Sequence, residues 1–211
     1  MNPENRLRDE IARLGRSLFE RGLTSGSTGN LSARLDDGGY LVTPTDTSLG
    51  FLDPARLSRL DSEGNWIDGD KPTKEGFLHL SMYRANADRQ AVAHLHSTYS
   101  VCLSCLRGLD TEDMLPPITP YVLMKVGRVA RVPFFPPGDE ALGPVIEEKA
   151  RTHSGIIIAN HGPVVAARSL RAAVFGIEEV EESAKLAFLL HSEDVEFIPE
   201  DYRQTLLKAG K

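Results

Sequence analysis

Gly155-Ile156-Ile157-Ile158-Ala159-Asn160-His161-Gly162-Pro163-Val164-Val165-Ala166-Ala167 reads as two buried strands joined by a turn. Residues 155–159 form a continuous apolar run, as a strand covered on both faces requires. His161-Gly162-Pro163 turns the chain into a second apolar run, 164–167. Ser169 can then cap a long helix to about His191, with Leu170, Ala173, Ile177, Val180, Ala184 and Phe188 as its apolar stripe. Upstream, 129–135 reads as a strand closed by Pro136-Pro137-Gly138, and 140–151 as a helix. Residues 91–96 form a short strand, and 98–106 a helix. In the N-terminal half, Leu7, Ile11, Leu14 and Leu18 stand at helical spacing and Gly22 ends that helix. Residues 31–35 and 40–43 flank Asp36-Asp37-Gly38-Gly39 as a hairpin. Asp53-Pro54 opens a short helix over 55–60, and 61–65 supplies a turn. Thr73 caps a helix over 74–86. Strands mixed with helices and linked by both tight turns and helices predict an α/β layered fold with a mixed, largely antiparallel sheet.

The chain has 211 residues, enough for one domain with a substantial core. Hydrophobic residues make up 41%, which excludes a disordered chain, and aromatics only 7%, which leaves the core to aliphatic side chains. The net charge is −6 with no Lys/Arg block, so neither nucleic acid nor an anionic membrane surface is an expected partner. No apolar run reaches the ~18 residues of a membrane span, and the charged, amphipathic N-terminus is not a signal peptide; a cytoplasmic protein is expected. Cys102 and Cys105 form a lone C-x-x-C in an apolar run, expected to be buried, inert thiols. Neither G-x-G-x-x-G nor a P-loop occurs.

The sharpest chemical signal is Ala93-His94-Leu95-His96-Ser97. Residues two apart in a strand project to one face, about 6.6 Å apart along it, so both imidazoles can converge on one ion. A pair of core histidines satisfied by hydrogen bonds fits the same spacing. His161 stands where a buried strand ends, a rigid place from which to aim a third imidazole into a cleft. Three histidines with an open fourth position are a catalytic zinc pattern, not a closed structural one. His79, His153 and His191 read as structural, although His79 lies one helical turn beyond Glu75 and within reach as its partner. Glu75 stands at a helix start, where the peptide dipole favours its ionised form. Thr28-Gly29-Asn30, Thr45-Asp46 and Thr73-Lys74 are each turns or caps, and together could cradle a phosphate.

Gly29-Asn30-Leu31-Ser32, Thr43-Pro44-Thr45-Asp46, Lys71-Pro72-Thr73-Lys74-Glu75, His94-Leu95-His96-Ser97 and Asn160-His161-Gly162 occur in the order and spacing of the class II aldolase/adducin family. The chain resembles that family over about residues 5–190. Residues 97–106, 116–121 and 160–166 resemble its 3-oxo-tetronate 4-phosphate decarboxylase branch. The resemblance implies a single three-layer α/β/α sandwich, residues 1–211, assembled as a homotetramer with active sites between subunits. It implies a metal site of His94, His96 and His161, with Zn2+ as cofactor and Mn2+ or Co2+ as substitutes. Glu75 matches the catalytic acid/base, which also approaches the metal. Gly29, Asn30, Thr45, Asp46, Thr73 and Lys74 match phosphate-binding positions, and Tyr121 matches a catalytic tyrosine lent to a neighbouring subunit. Asp46 replaces the family's usual Gly and Lys74 its usual Ser. Lys74 would meet either the phosphate or a substrate carboxylate. The implied activity is that of a metal-dependent carbon–carbon lyase: decarboxylation of a 3-oxo-tetronate 4-phosphate, a small phosphorylated sugar acid, to dihydroxyacetone phosphate and CO2 through a metal-bound enediolate. The alternative is an aldolase cleaving a ketose 1-phosphate such as fuculose 1-phosphate. A non-enzymatic adducin-like module would lack the three histidines.

Overall fold

A computed structural model describes residues 2–209. Helix α1 (Pro3–Glu20) is capped by the Asn2 side chain and stops before Gly22, whose φ of +73° supplies the left-handed residue after the C-cap. A hairpin of β1 (Asn30–Arg34) and β2 (Tyr40–Val42) follows, then β3 (Ser58–Leu60) and β4 (Trp66–Asp68). Next come α2 (Gly76–Ala85), β5 (Ala91–His94), α3 (Thr98–Ser104), α4 (Pro120–Lys125), β6 (Val129–Val132) and α5 (Leu142–Ala150). The chain closes with β7 (Gly155–Ile158), β8 (Gly162–Ala167), α6 (Leu170–Leu189) and α7 (Glu200–Ala209).

The strands form one sheet in the order β4-β3-β2-β1-β5-β8-β7-β6. All neighbours run antiparallel except β6 and β7. The sheet is therefore mixed and largely antiparallel, as its sequence predicts. Alternation along the central strands sends side chains to two separate cores. Ala91, Ala93, Ile157 and Val165 pack under α1, α3, α4 and α6, whereas Val92, Ile156, Ile158 and Val164 pack under α2 and α5. The result is helix, sheet, helix: three layers. Among the described residues no helix is long and apolar enough to cross a membrane.

Several local expectations need correction. Residues 55–60 are not a helix: one 3-10 turn, Pro54–Arg56, gives way to β3, because Ser58 and Leu60 bury on the β2 edge. Thr73 is not the cap of α2, which begins two residues beyond Glu75's predicted neighbour Lys74; the Thr73 hydroxyl instead accepts from the Glu75 N–H at 3.3 Å. The strand over 91–96 ends at His94, so His96 lies just outside it. Cys105 is exposed and Cys102 half-buried, not two buried thiols, because α3 ends at Ser104 and turns Cys105 outward. Strands β3 and β4 and helices α4 and α7 were not among the predicted elements.

Candidate active site

The sheet centre builds the site. β1 and β5 pair with Asn30 opposite His94, and β5 and β8 pair with His94 opposite Val164. The β7–β8 turn carries His161 to the same end of the sheet. Asn160 takes φ +55° in that turn, a conformation asparagine tolerates better than most residues. Its backbone N–H donates to Ser104 Oγ at 2.9 Å and its side-chain amide to Cys105 Sγ at 3.2 Å. Two glycines permit the close approach. A Cβ on Gly162 would stand 2.1 Å from the Leu95 carbonyl oxygen. One on Gly29, at φ +80°, would stand 3.0 Å from that of His94.

Glu75, His94, His96 and His161 each offer one ligand atom within 4.8 Å of all the others. His94 Nε2 lies 3.1 Å from His96 Nε2 and 3.3 Å from His161 Nε2, and the latter two are 3.1 Å apart. Glu75 Oε1 is 3.0 Å from His161 Nε2 and its Oε2 is 3.5 Å from His94 Nε2. The His94 Nδ1–H donates to the Pro163 carbonyl at 2.9 Å, which leaves a bare lone pair on its Nε2. Burial pushes the His94 and His96 pKa values down, that of His96 to about 3, with the neighbouring histidines acting in the same direction. Neutral imidazoles whose lone pairs face one another repel unless a cation or a proton sits between them.

Four-coordinate nitrogen ligands at about 2.0–2.1 Å from a zinc-like ion stand about 3.3 Å apart, the edge of the tetrahedron. The observed edges of 3.1, 3.1 and 3.3 Å match, so the donor set fits a divalent cation with Glu75 at its flank. Burial pushes the Glu75 pKa up. Positive charge lodged between His94 and His161, a proton or a cation, together with the hydrogen bonds from His161 when its Nε2 is protonated and from Asn30, outweighs burial and holds the carboxyl well below the usual range.

The structure also joins the remaining candidates. Pro44 and Pro72 form an antiparallel bridge, Thr45 N–H donates to Lys71 O at 2.9 Å and Thr73 N–H to Thr43 O at 3.2 Å, so the 43–46 and 71–75 loops lie side by side. Asp46 adopts φ +55°, a left-handed conformation that aspartate tolerates better than most residues, and both Asp46 and Lys74 are exposed. The Asn30 side chain donates to Glu75 Oε2 at 2.7 Å and lies 3.4 Å from Thr73 Oγ1, which ties one loop to the carboxylate. Tyr121 stands on α4, 57% exposed, with the Lys125 ammonium 5.7 Å from its ring centre, and takes no part in the four-residue cluster. Ser32 and Tyr83, which sequence reasoning passed over, line up behind Asn30 through His79. Their only signal was spacing: two along a strand and four along a helix.

The model of the class II aldolase and adducin N-terminal domain matches residues 9–188. The 3-oxo-tetronate 4-phosphate decarboxylase of Pectobacterium atrosepticum is 49% identical over 201 residues, covering 95% of this chain and 92% of that one. The crystal structure of YgbL from Escherichia coli superposes with a TM-score of 0.95 at 44% identity, covering 98% of this chain and all of the other. That of an L-fuculose 1-phosphate aldolase gives 0.83 at 27% identity, covering 95% and 94%.

Proposed function

Because the chain belongs to the class II aldolase and adducin N-terminal domain family, we propose that it is a lyase of one domain that decarboxylates a 3-oxo-tetronate 4-phosphate to dihydroxyacetone phosphate. The observation that carries this reading is the convergence of three imidazole nitrogens, two of them on buried rings, beside one ionised carboxylate, in a chain 49% identical to a decarboxylase of that name. His94, His96 and His161 would hold the metal, zinc by preference with manganese or cobalt as substitutes. When bound, it supplies Lewis-acid polarisation of the substrate carbonyl and a counter-charge for electrons released next to it.

The rest of the chemistry falls to side chains. As the bond to the carboxylate breaks, its electron pair stays on the α-carbon and delocalises into the adjacent ketone, while CO2 departs. Glu75, 13% exposed, relays one proton from solvent to that carbon, where it takes the place of the departing CO2. The 43–46 and 71–75 loops hold the phosphate through backbone N–H groups and the Thr45 and Thr73 hydroxyls, with the Lys74 ammonium offsetting its charge. Gly29, Asn30 and Asp46 complete that rim. Exposed Tyr121 serves a neighbouring subunit in a homotetramer. The same electron sink would serve aldol cleavage, so the product decides between the two.

Purified protein supplied with the oxo-acid phosphate is expected to release CO2, and an aldehyde product from a ketose 1-phosphate instead would identify an aldolase. Glu75→Gln should retain its metal and lose about 10²–10⁴ in rate. Decarboxylation at the wild-type rate by that variant would remove Glu75 from the reaction.

A further inference from the structure

Behind Glu75 runs a buried line of polar groups of which the reaction as described uses only the first, Asn30. Asn30 and Ser32 lie two apart on β1, so they share a face; His79 and Tyr83 lie four apart on α2, one turn and two turns beyond Glu75. All four are buried, exposed by 4%, 1%, 2% and 2%. The Glu75 carboxylate accepts from Asn30 Nδ2 at 2.7 Å, Asn30 Oδ1 meets His79 Nε2, His79 Nδ1 meets Ser32 Oγ at 2.6 Å, and Ser32 Oγ meets the Tyr83 hydroxyl at 2.8 Å.

One fact orients every bond in that line. An ionised carboxylate only accepts, so Asn30 must turn its NH2 edge to Glu75 and its carbonyl to His79. His79 Nε2 then carries the proton, its Nδ1 accepts from the Ser32 O–H, and Ser32 accepts from the Tyr83 O–H. Burial keeps the imidazole neutral and the phenol protonated, as these roles require. An asparagine amide is nearly symmetric in shape, so only its partners choose between its two orientations. Rotated by half a turn, it would set a carbonyl oxygen against the carboxylate.

We propose that His79, backed by Ser32 and Tyr83, is a positioning residue: it locks the Asn30 amide so that its NH2 edge holds the Glu75 carboxylate at the mouth of the histidine cluster. This rests on reading Glu75 as the acid/base. Asn30 also touches Thr73, so the lock joins the carboxylate to a loop that flanks the site.

The test uses His79→Leu, His79→Gln and Tyr83→Phe in protein labelled with 15N at asparagine. The Asn30 side-chain amide is assigned by its disappearance in Asn30→Asp. His79→Leu should lower kcat about 10–100-fold with KM within about twofold, the usual effect of losing such a partner. Exchange of the Asn30 amide protons should rise about tenfold or more, as for a hydrogen-bonded group set free. Gln can present an amide N–H near the lost Nε2 and should restore kcat to within about threefold. Tyr83→Phe, which changes one hydroxyl at a distance, should move both readouts in the same direction by less. Unchanged Asn30 exchange in folded His79→Leu would overturn the proposal. So would a loss of kcat that Gln does not restore, or, if Leu does not fold, wild-type exchange and kcat in Tyr83→Phe. Full activity in Glu75→Gln strikes the reading of Glu75 alone, since Asn30 exchange still reports whether His79 sets the amide.

Discussion

His79 shows what a single buried titratable side chain imposes. Its pKa is pushed down to about 3 by burial, with the nearby His94 adding to the shift and Glu75 opposing it. In an unfolded chain the same group titrates near about 6.5. Below that pH the unfolded chain binds a proton that the folded one refuses. Stability is therefore fully present above about pH 6.5 and falls as pH drops toward the folded value, by about 1.4 kcal/mol per unit. Between about pH 7 and pH 5 this one residue accounts for about 2 kcal/mol. Urea unfolding of wild type and His79→Gln at those two pH values should show the smaller loss in the variant; equal losses would mean that His79 titrates freely in the folded protein.

Among elements, α3 depends on a partner from elsewhere in the chain. Its N-cap residue Ser97 makes no capping bond with its side chain. The Glu181 carboxylate of α6 caps it instead, accepting from the Tyr99 and Ser100 N–H groups at 2.8 Å each and from the Ser100 hydroxyl at 2.6 Å. A buried carboxylate on a helix N-terminus meets both its free donors and its dipole. This also fixes His96, which has left β5 and stands one residue before Ser97. Glu181→Gln should cost about 1–3 kcal/mol in denaturant unfolding, since an amide turns a donor toward donors. Gly162→Ala acts on the other side of the same junction, where its methyl would meet the Leu95 carbonyl; the expected result is a folded protein that retains little metal, or no folded protein.

Legibility in the sequence followed the same logic of elements. Strands β7 and β8 were readable because both faces are covered and the apolar run is unbroken. Trp66-Ile67-Asp68 was not, because all three residues of β4 are exposed and show no alternation. Helix α4 is one and a half turns long, too short for a period to register. The four residues of the candidate metal cluster stood out since His94 and His96 lie two apart in sequence and the motifs around Glu75 and His161 are distinctive. The line from Asn30 to Tyr83 did not, because Ser32 and His79 are 47 positions apart and meet only when α2 lies across β1.

For the whole molecule, the candidate ligands come from three places: the entry to α2, the end of β5 and the β7–β8 turn. An ion held there ties the α2 side of the sheet to the two central strands, and it binds the folded chain only. Ligand excess of about a thousandfold over the dissociation constant stabilises a fold by about 4 kcal/mol. In a chain of this size each kcal/mol moves the melting temperature by roughly 2–4 °C, so chelation should lower it by roughly 10 °C. Adding back zinc should restore it, with manganese or cobalt restoring less or equally according to affinity. The control is His161→Ala, which loses one of three imidazoles while sparing both cores. Its melting temperature should be low from the start and respond weakly to either chelator or metal. A wild-type melting curve indifferent to chelation, in protein shown by elemental analysis to have lost its metal, would mean that the three histidines pack without help from an ion.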